Sequence, residues 1–192
     1  MTGEFILDRM VRAVENVRDR LMRATGALDA QDVPYAVIGG NAVAIWVARV
    51  DRAAVRNTQD VDILIRRTDL EAAKLALESV GFVYRHSAGI DMFLDGATAK
   101  ARDAVHVIFA NEKVRREYSE AAPDIEPHDL APPFRVLALE SLVRMKLTSN
   151  RDKDRTHIRD LIDIGSVDAS WLPRLPAELA ERLKSILDSP EG

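Results

Sequence analysis

The chain of 192 residues has no cysteine, which excludes disulfides and thiolate zinc sites and fits a reducing cytoplasm. It also lacks a strong excess of basic charge: the net charge is −4, so the molecule as a whole is not built to coat a polyanion. Long hydrophobic runs are missing too. The longest apolar region, Tyr35 to Ala48, is interrupted by Asn41 and is too short to cross a bilayer. The start, Met1 to Arg9, has no basic flank, and its apolar run is too short for a signal peptide. No internal repeat or low-complexity tract is present. These absences lead to the expectation of a cytoplasmic protein with no membrane segment. What remains is ordinary for a soluble domain, 47% hydrophobic and 30% charged, and the length favours one domain with a helical extension.

One stretch organises the rest. Tyr35-Ala36-Val37-Ile38 reads as a short buried strand that runs into Gly39-Gly40 and then an apolar helix, Ala42 to Ala48. About twenty residues later, Thr58 to Ile65 reads as a second strand carrying Asp60 and Asp62. Side chains alternate along a strand, so the two acids share one face while Val61, Ile63 and Ile65 take the other. Adjacent anions repel, and a hard cation with oxygen ligands, such as Mg²⁺, relieves that where phosphates are also present. Two glycines between strand and helix let backbone approach a ligand, with the helix N-terminus offering unpaired N–H groups to an anion. A tight turn needs such glycines equally, and Asn41 fits a simple helix cap.

Around this stretch the patterning is regular. Met10, Val14, Val17 and Leu21 give residues 7–28 an amphipathic helix with Asp8, Arg9, Glu15 and Arg18 outside. Thr68-Asp69-Leu70-Glu71 matches a capping box for a helix ended by Gly81. Phe82 to His86 and Ile90 to Leu94 read as a hairpin, and Ala104 to Phe109 as a further strand. Four prolines within 119–133 mark a loop or linker. Helices follow around Leu139 to Leu147, around Ile158 to Ile162, and after Pro176. The predicted organisation is an α/β core over 1–118, a proline-rich linker over 119–133 and a helical region over 134–192 packed on the core. Basic residues cluster beside the acidic strand (Arg49, Arg52, Arg56, Arg66, Arg67) and again from Arg144 to Arg159. Such clusters fit either a triphosphate or RNA, or a solvated helix surface with internal ion pairs. Trp46 and Trp171 are read as core or helix-docking residues.

The glycine pair at a strand end, the buried helix, and Arg56-x-Thr58-x-Asp60-x-Asp62 on the next strand resemble the nucleotidyltransferase superfamily, whose fold is shared with the palm of DNA polymerase beta. Lys146 to Asp154, with Asp160-Leu161 beyond, looks like the abortive-infection toxin type and related bacterial proteins. The resemblance covers roughly residues 30–165. It implies an α/β fold (α+β) with a mixed sheet flanked by helices. The implied activity is transfer of a nucleoside monophosphate from a nucleoside triphosphate to a hydroxyl of an RNA, a protein or a small molecule, with Mg²⁺ or Mn²⁺ as cofactor. By resemblance, Asp60 and Asp62 hold the metal and Gly39 and Gly40 cradle phosphates, with Asn41, Arg56 and Thr58 on the nucleotide side. Lys146, Arg151 and Lys153 steady phosphate or acceptor, and Asp154 assists proton removal. A toxin of this type would also have an antitoxin as partner; the oligomeric state is open.

One departure stands out. Where such enzymes carry a third carboxylate on a later central strand, this chain has Val105-His106-Val107. The alternation places His106 opposite Val105, Val107 and Phe109, where it is either a ligand or a hydrogen-bonded interior histidine. An imidazole weakens a two-magnesium arrangement and favours a softer ion such as Mn²⁺. Asp91 and Asp103 are alternative third acids. The second function consistent with the sequence is therefore a nucleotide- or partner-binding module of the same fold that has lost catalysis.

Overall fold

The computed structural model describes the backbone of residues 3–189 and side chains from Phe5 onward. The elements are α1 (Gly3–Ala30), β1 (Ala36–Ile38), α2 (Gly39–Ala48), β2 (Val61–Ile65), α3 (Leu70–Ser79), β3 (Val83–Ser87), β4 (Ile90–Leu94) and β5 (Ala104–Phe109). After these come β6 (His128–Ala131), β7 (Phe134–Leu137), α4 (Leu139–Ser149), α5 (Asp152–Asp163) and α6 (Ala177–Leu187). The seven strands form one mixed sheet in the order β3-β4-β5-β2-β1-β7-β6. β2 runs antiparallel to β1 and parallel to β5, and β7 runs parallel to β1.

Alternation along the central strands divides the apolar residues between two faces. Val37, Val61, Ile63, Ile65, Val105, Val107 and Phe109 pack against Leu21, Ala24 and Leu28 of α1 and Ala73, Ala76 and Leu77 of α3. On the other face Ala36, Ile38, Leu64 and Val136 meet α2, α4, α5 and α6 through Val43, Leu142, Leu147, Ile158, Leu161 and Leu183. Trp171 lies in that second layer, and the Trp46 ring nitrogen donates to the Leu137 carbonyl at 3.0 Å. No helix among the described residues is long and apolar enough to cross a membrane.

Four expectations are revised. The proline-rich stretch 119–133 is not purely loop and 134–192 is not purely helical: residues 128–131 form an edge strand, with His128 opposite Leu137 of β7, and β7 itself joins the sheet beside β1. The predicted capping box is not made. Arg67–Asp69 form a 3₁₀ turn leading into α3, whose N-terminus receives no side-chain cap, and Asp69 Oδ2 is buried without a hydrogen bond. The chain enters α3 with Asp69 already in a helical backbone conformation, whereas a capping residue needs an extended one. Asn41 does not cap α2 either, because the helix begins two residues earlier, at Gly39. Finally, the α1 stripe is buried only at its C-terminal end, since Met10 and Val14 are exposed.

Candidate functional site

The site lies at the end of β2 where it meets β1, β5 and the start of α2. Asp62 is the second residue of β2, paired across the sheet with Ile38 on one side and His106 on the other. Its carboxylate therefore leaves the sheet on the α2 side, as does the His106 ring. His106 Nδ1 is 3.7 Å from Asp62 Oδ1, and each side chain is about a quarter exposed. That distance is too long for a hydrogen bond. Asp60 lies one residue before β2. Its carboxylate reaches Lys153 of α5 at 3.4 Å, and its carbonyl accepts a 2.7 Å hydrogen bond from the Asn41 amide. Asn41 thus fixes the loop that carries Asp60.

The glycines make room for this arrangement. A Cβ on Gly39 would sit 2.0 Å from Asp62 Oδ2, and Gly39 has φ +69°, a left-handed backbone that other residues adopt only with strain. A Cβ on Gly40 would come within 2.7 Å of Thr58 Oγ1. Their lack of side chains lets Asp62 and Thr58 lie directly on the first turn of α2. No side chain caps that turn, so its leading N–H groups are free to meet an anion. Thr58 Oγ1 also accepts a long, 3.4 Å hydrogen bond from the Asp60 N–H.

The electrostatics of Asp62 follow from its position. Burial raises its pKa, and Asp60 adds to the rise against the lowering effects of His106, Lys146 and Lys153. A few residues away, the α4–α5 junction treats an acid in the opposite way. Asp154 has no exposed surface and receives Lys146 Nζ at 2.9 Å, Arg151 Nε at 2.6 Å and the Ser149 hydroxyl at 2.6 Å. Burial alone would raise its pKa, but Arg151, Lys146 and Ser149 together hold it well below the usual carboxylate range. An acid so weakly basic and so fully engaged is a poor proton acceptor. Its geometry fits a brace that orients Lys146 and Arg151 better than the proton-removal role expected for it. His157, one turn further along α5, is kept neutral: burial, aided by Lys146, pushes its pKa down to about 4.

The structure brings Gly39, Gly40, Asn41, Thr58, Asp60, Asp62, His106 and Lys153 together, with Lys146 acting on Asp62 through its charge. It engages others elsewhere. Arg56 is bound to Asp160 of α5 at 2.6 Å, Arg66 to Asp124 at 2.9 Å and Arg67 to Glu112 at 2.6 Å. The basic cluster beside β2 is in this respect a set of separate ion pairs. Neither alternative third acid reaches Asp62. Asp91 pairs with Val107, on the opposite face from His106, and binds Tyr84 and His86, while Asp103 lies beside Arg20 of α1. Sequence reasoning gave no role to Ser149 or Asp160. Ser149 lies one helical turn after Lys146, which was a local signal, whereas the Asp160 partner is 104 residues from Arg56 and had none.

Among the described residues, no three His, Asp or Glu side chains converge as a metal-binding group. Mg²⁺ at nucleotide sites, however, is commonly held by one or two carboxylates, with phosphate oxygens and water completing the shell. Asp60 and Asp62 fit that donor set, and a cation between them would offset the burial and repulsion acting on Asp62.

No protein-family model matches the chain, and no curated protein matches it by sequence. The architecture is a nucleotidyltransferase-like fold. The chain is similar to the crystal structure of ANT(2'')-Ia in complex with adenylyl-2''-tobramycin, with a TM-score of 0.50 and 17% identity over 88% of this chain and 95% of that one. A solution structure of the antibiotic-resistance factor ANT(2'')-Ia gives 0.51 and 14% identity over 93% and 92%. JHP933 from Helicobacter pylori gives 0.51 and 13% over 90% and 73%. At such identities the likeness is one of fold.

Proposed function

We propose that the protein is a metal-dependent nucleotidyltransferase that moves a nucleoside monophosphate from a nucleoside triphosphate to an acceptor hydroxyl, breaking the α–β phosphoanhydride bond and releasing pyrophosphate and the hydroxyl proton. The observation that carries this reading is the contact between Asp62 and the uncapped first turn of α2, a fit that only glycine at position 39 permits. It sets an anion-binding helix end beside two carboxylates. The triphosphate would lie along the Gly39–Gly40 turn, with Lys153 on its flank. Asp60 and Asp62 would hold a Mg²⁺ or Mn²⁺ ion, whose chemistry when bound would be to neutralise charge on the attacking and leaving oxygens. Lys153, now paired with Asp60, is half exposed and free to turn to phosphate once a cation replaces it. The neighbour solved with adenylyl-2''-tobramycin supports a small-molecule hydroxyl as one acceptor class, beside RNA and protein. Lys146, Arg151 and Asp154, on which the resemblance to abortive-infection toxins depends, are committed to one another, so this geometry does not favour a toxin over another transferase.

A second reading has its own support. His106 occupies the position beside Asp62 where a third acid would complete a two-ion site, and this favours a module that binds nucleotide without transfer. Incubation with each labelled triphosphate, Mg²⁺ or Mn²⁺ and a mixture of acceptors separates the two. Label transfer that disappears in Asp60→Asn and Asp62→Asn supports the enzyme. Calorimetric binding of metal–triphosphate without any transfer supports the module, and transfer undiminished in both variants would sink the site.

A further inference from the structure

Leu7, Met10, Val14, Val17, Leu21, Ala24 and Leu28 follow one another at alternating spacings of three and four residues, so they lie on a single stripe along the 28-residue α1. The two ends of that stripe have different fates. Leu21, Ala24 and Leu28 are buried against the sheet, while Leu7, Met10 and Val14 are 62%, 61% and 42% exposed. Ile6 and Val11, which flank the stripe, widen the exposed part. Every side chain from Phe5 to Asn16 is exposed, so just over three turns of α1 project beyond the body without cover from any described residue. Such a contiguous apolar face stands at the upper end of what a soluble monomer leaves in water, where patches are often functional.

We propose that this projecting half of α1 is a homodimer surface, packed antiparallel on the same segment of a second copy. The exposed apolar residues of that face offer about 500 Å² per copy, so a two-fold pair would bury about 1,000 Å², the least expected of a specific interface. The face also continues, in register, the stripe by which α1 already docks on its own sheet. Placing Leu7 opposite Val17 and Met10 opposite Val14 of the second copy brings Asp8 within a turn of that copy's Arg18. The two-fold axis repeats the pair. Both residues are exposed and lie on the same flank of the stripe. In a parallel pair that complementarity is lost. The polar face carries Asp8, Glu15 and Asp19 beside Arg9, Arg12 and Arg18, without the basic bias of a helix lying on anionic lipid.

Sedimentation equilibrium of the full chain across the micromolar range tests this, with co-sedimentation on phosphatidylserine vesicles alongside. The expected result is a reversible monomer–dimer equilibrium that Met10→Glu/Val14→Glu weakens by more than about a hundredfold, with the circular dichroism spectrum kept. Asp8→Arg or Arg18→Asp alone should weaken it roughly fivefold, and the two together should restore it. A chain that stays monomeric, a dimer unmoved by Met10→Glu/Val14→Glu, or vesicle binding without self-association would each overturn the proposal. A dimer that the paired charge reversal fails to restore would overturn the antiparallel arrangement.

Discussion

Asp62 at the end of β2 and Asp154 at the start of α5 are both carboxylates largely withdrawn from water, yet their surroundings treat them in opposite ways. Asp154 is enclosed by three donors and held in its ionised form. Asp62 has no hydrogen-bond donor among the described side chains, lies next to a second acid, and has its affinity for a proton raised by burial. A buried acid with its donors supplied contributes to the fold. One left short of them costs stability and becomes intelligible as a group kept for a ligand. The difference separates the brace from the candidate site more sharply than distance along the chain does.

The contrast can be broken first at the brace. Asp154→Ala leaves the Lys146 ammonium, only 7% exposed, without its partner. The expected loss is about 3–5 kcal/mol, measured by urea denaturation; a loss below about 1 kcal/mol would mean the network is ornamental. Gly39→Ala comes next. It brings a methyl group within 2.0 Å of Asp62 Oδ2 at φ +69° and should cost about 3 kcal/mol. In an Asp62→Ala background the cost should shrink toward the backbone strain alone, and equal costs in the two backgrounds would show that the contact is not what requires glycine.

The smallest stability effect has the opposite sign and the clearest functional one. Asp62→Asn should raise stability at neutral pH while reducing transfer more than about a hundredfold. The pH dependence follows from the directions of the shifts. Asp62 has a raised pKa, so its contribution to stability is present below the ordinary carboxylate value of 3.8 and is lost as pH rises through its folded value. Asp154 has a lowered pKa, so its contribution is present above 3.8 and is lost only as pH falls well into acid. Thermal unfolding followed from pH 3.8 to neutrality should therefore differ between wild type and Asp62→Asn, with the variant gaining as pH rises. Parallel curves would mean that Asp62 ionises as it would in water.

Much of this was readable in the residues before any coordinates. Alternation placed Asp62 opposite Val61 and Ile63, and His106 opposite Val105 and Val107, and the sheet register puts Asp62 directly beside His106. The glycines were expected to meet a ligand; the structure adds that they also accommodate Asp62 and Thr58, which depends on how closely β2 and α2 approach. Ion pairing defeated local reading almost everywhere. The Arg56–Asp160 and Lys153–Asp60 pairs span 104 and 93 residues, and no periodicity encodes which distant acid an arginine will meet. The edge strand at 128–131 escaped notice because neighbouring prolines signal a break, while an edge strand needs hydrogen bonds on one side only.

Local chemistry written along the chain decided the helices, the hairpin and the two acids at the mouth of a glycine turn, because side-chain periodicity and backbone permissiveness are properties of neighbouring residues. Only the packed fold decided which carboxylate would be surrounded by donors and which would be left in want of them. That outcome depends on the sum of charges and solvent around a point in space, and those charges come from β2, α4 and α5, segments far apart in the sequence.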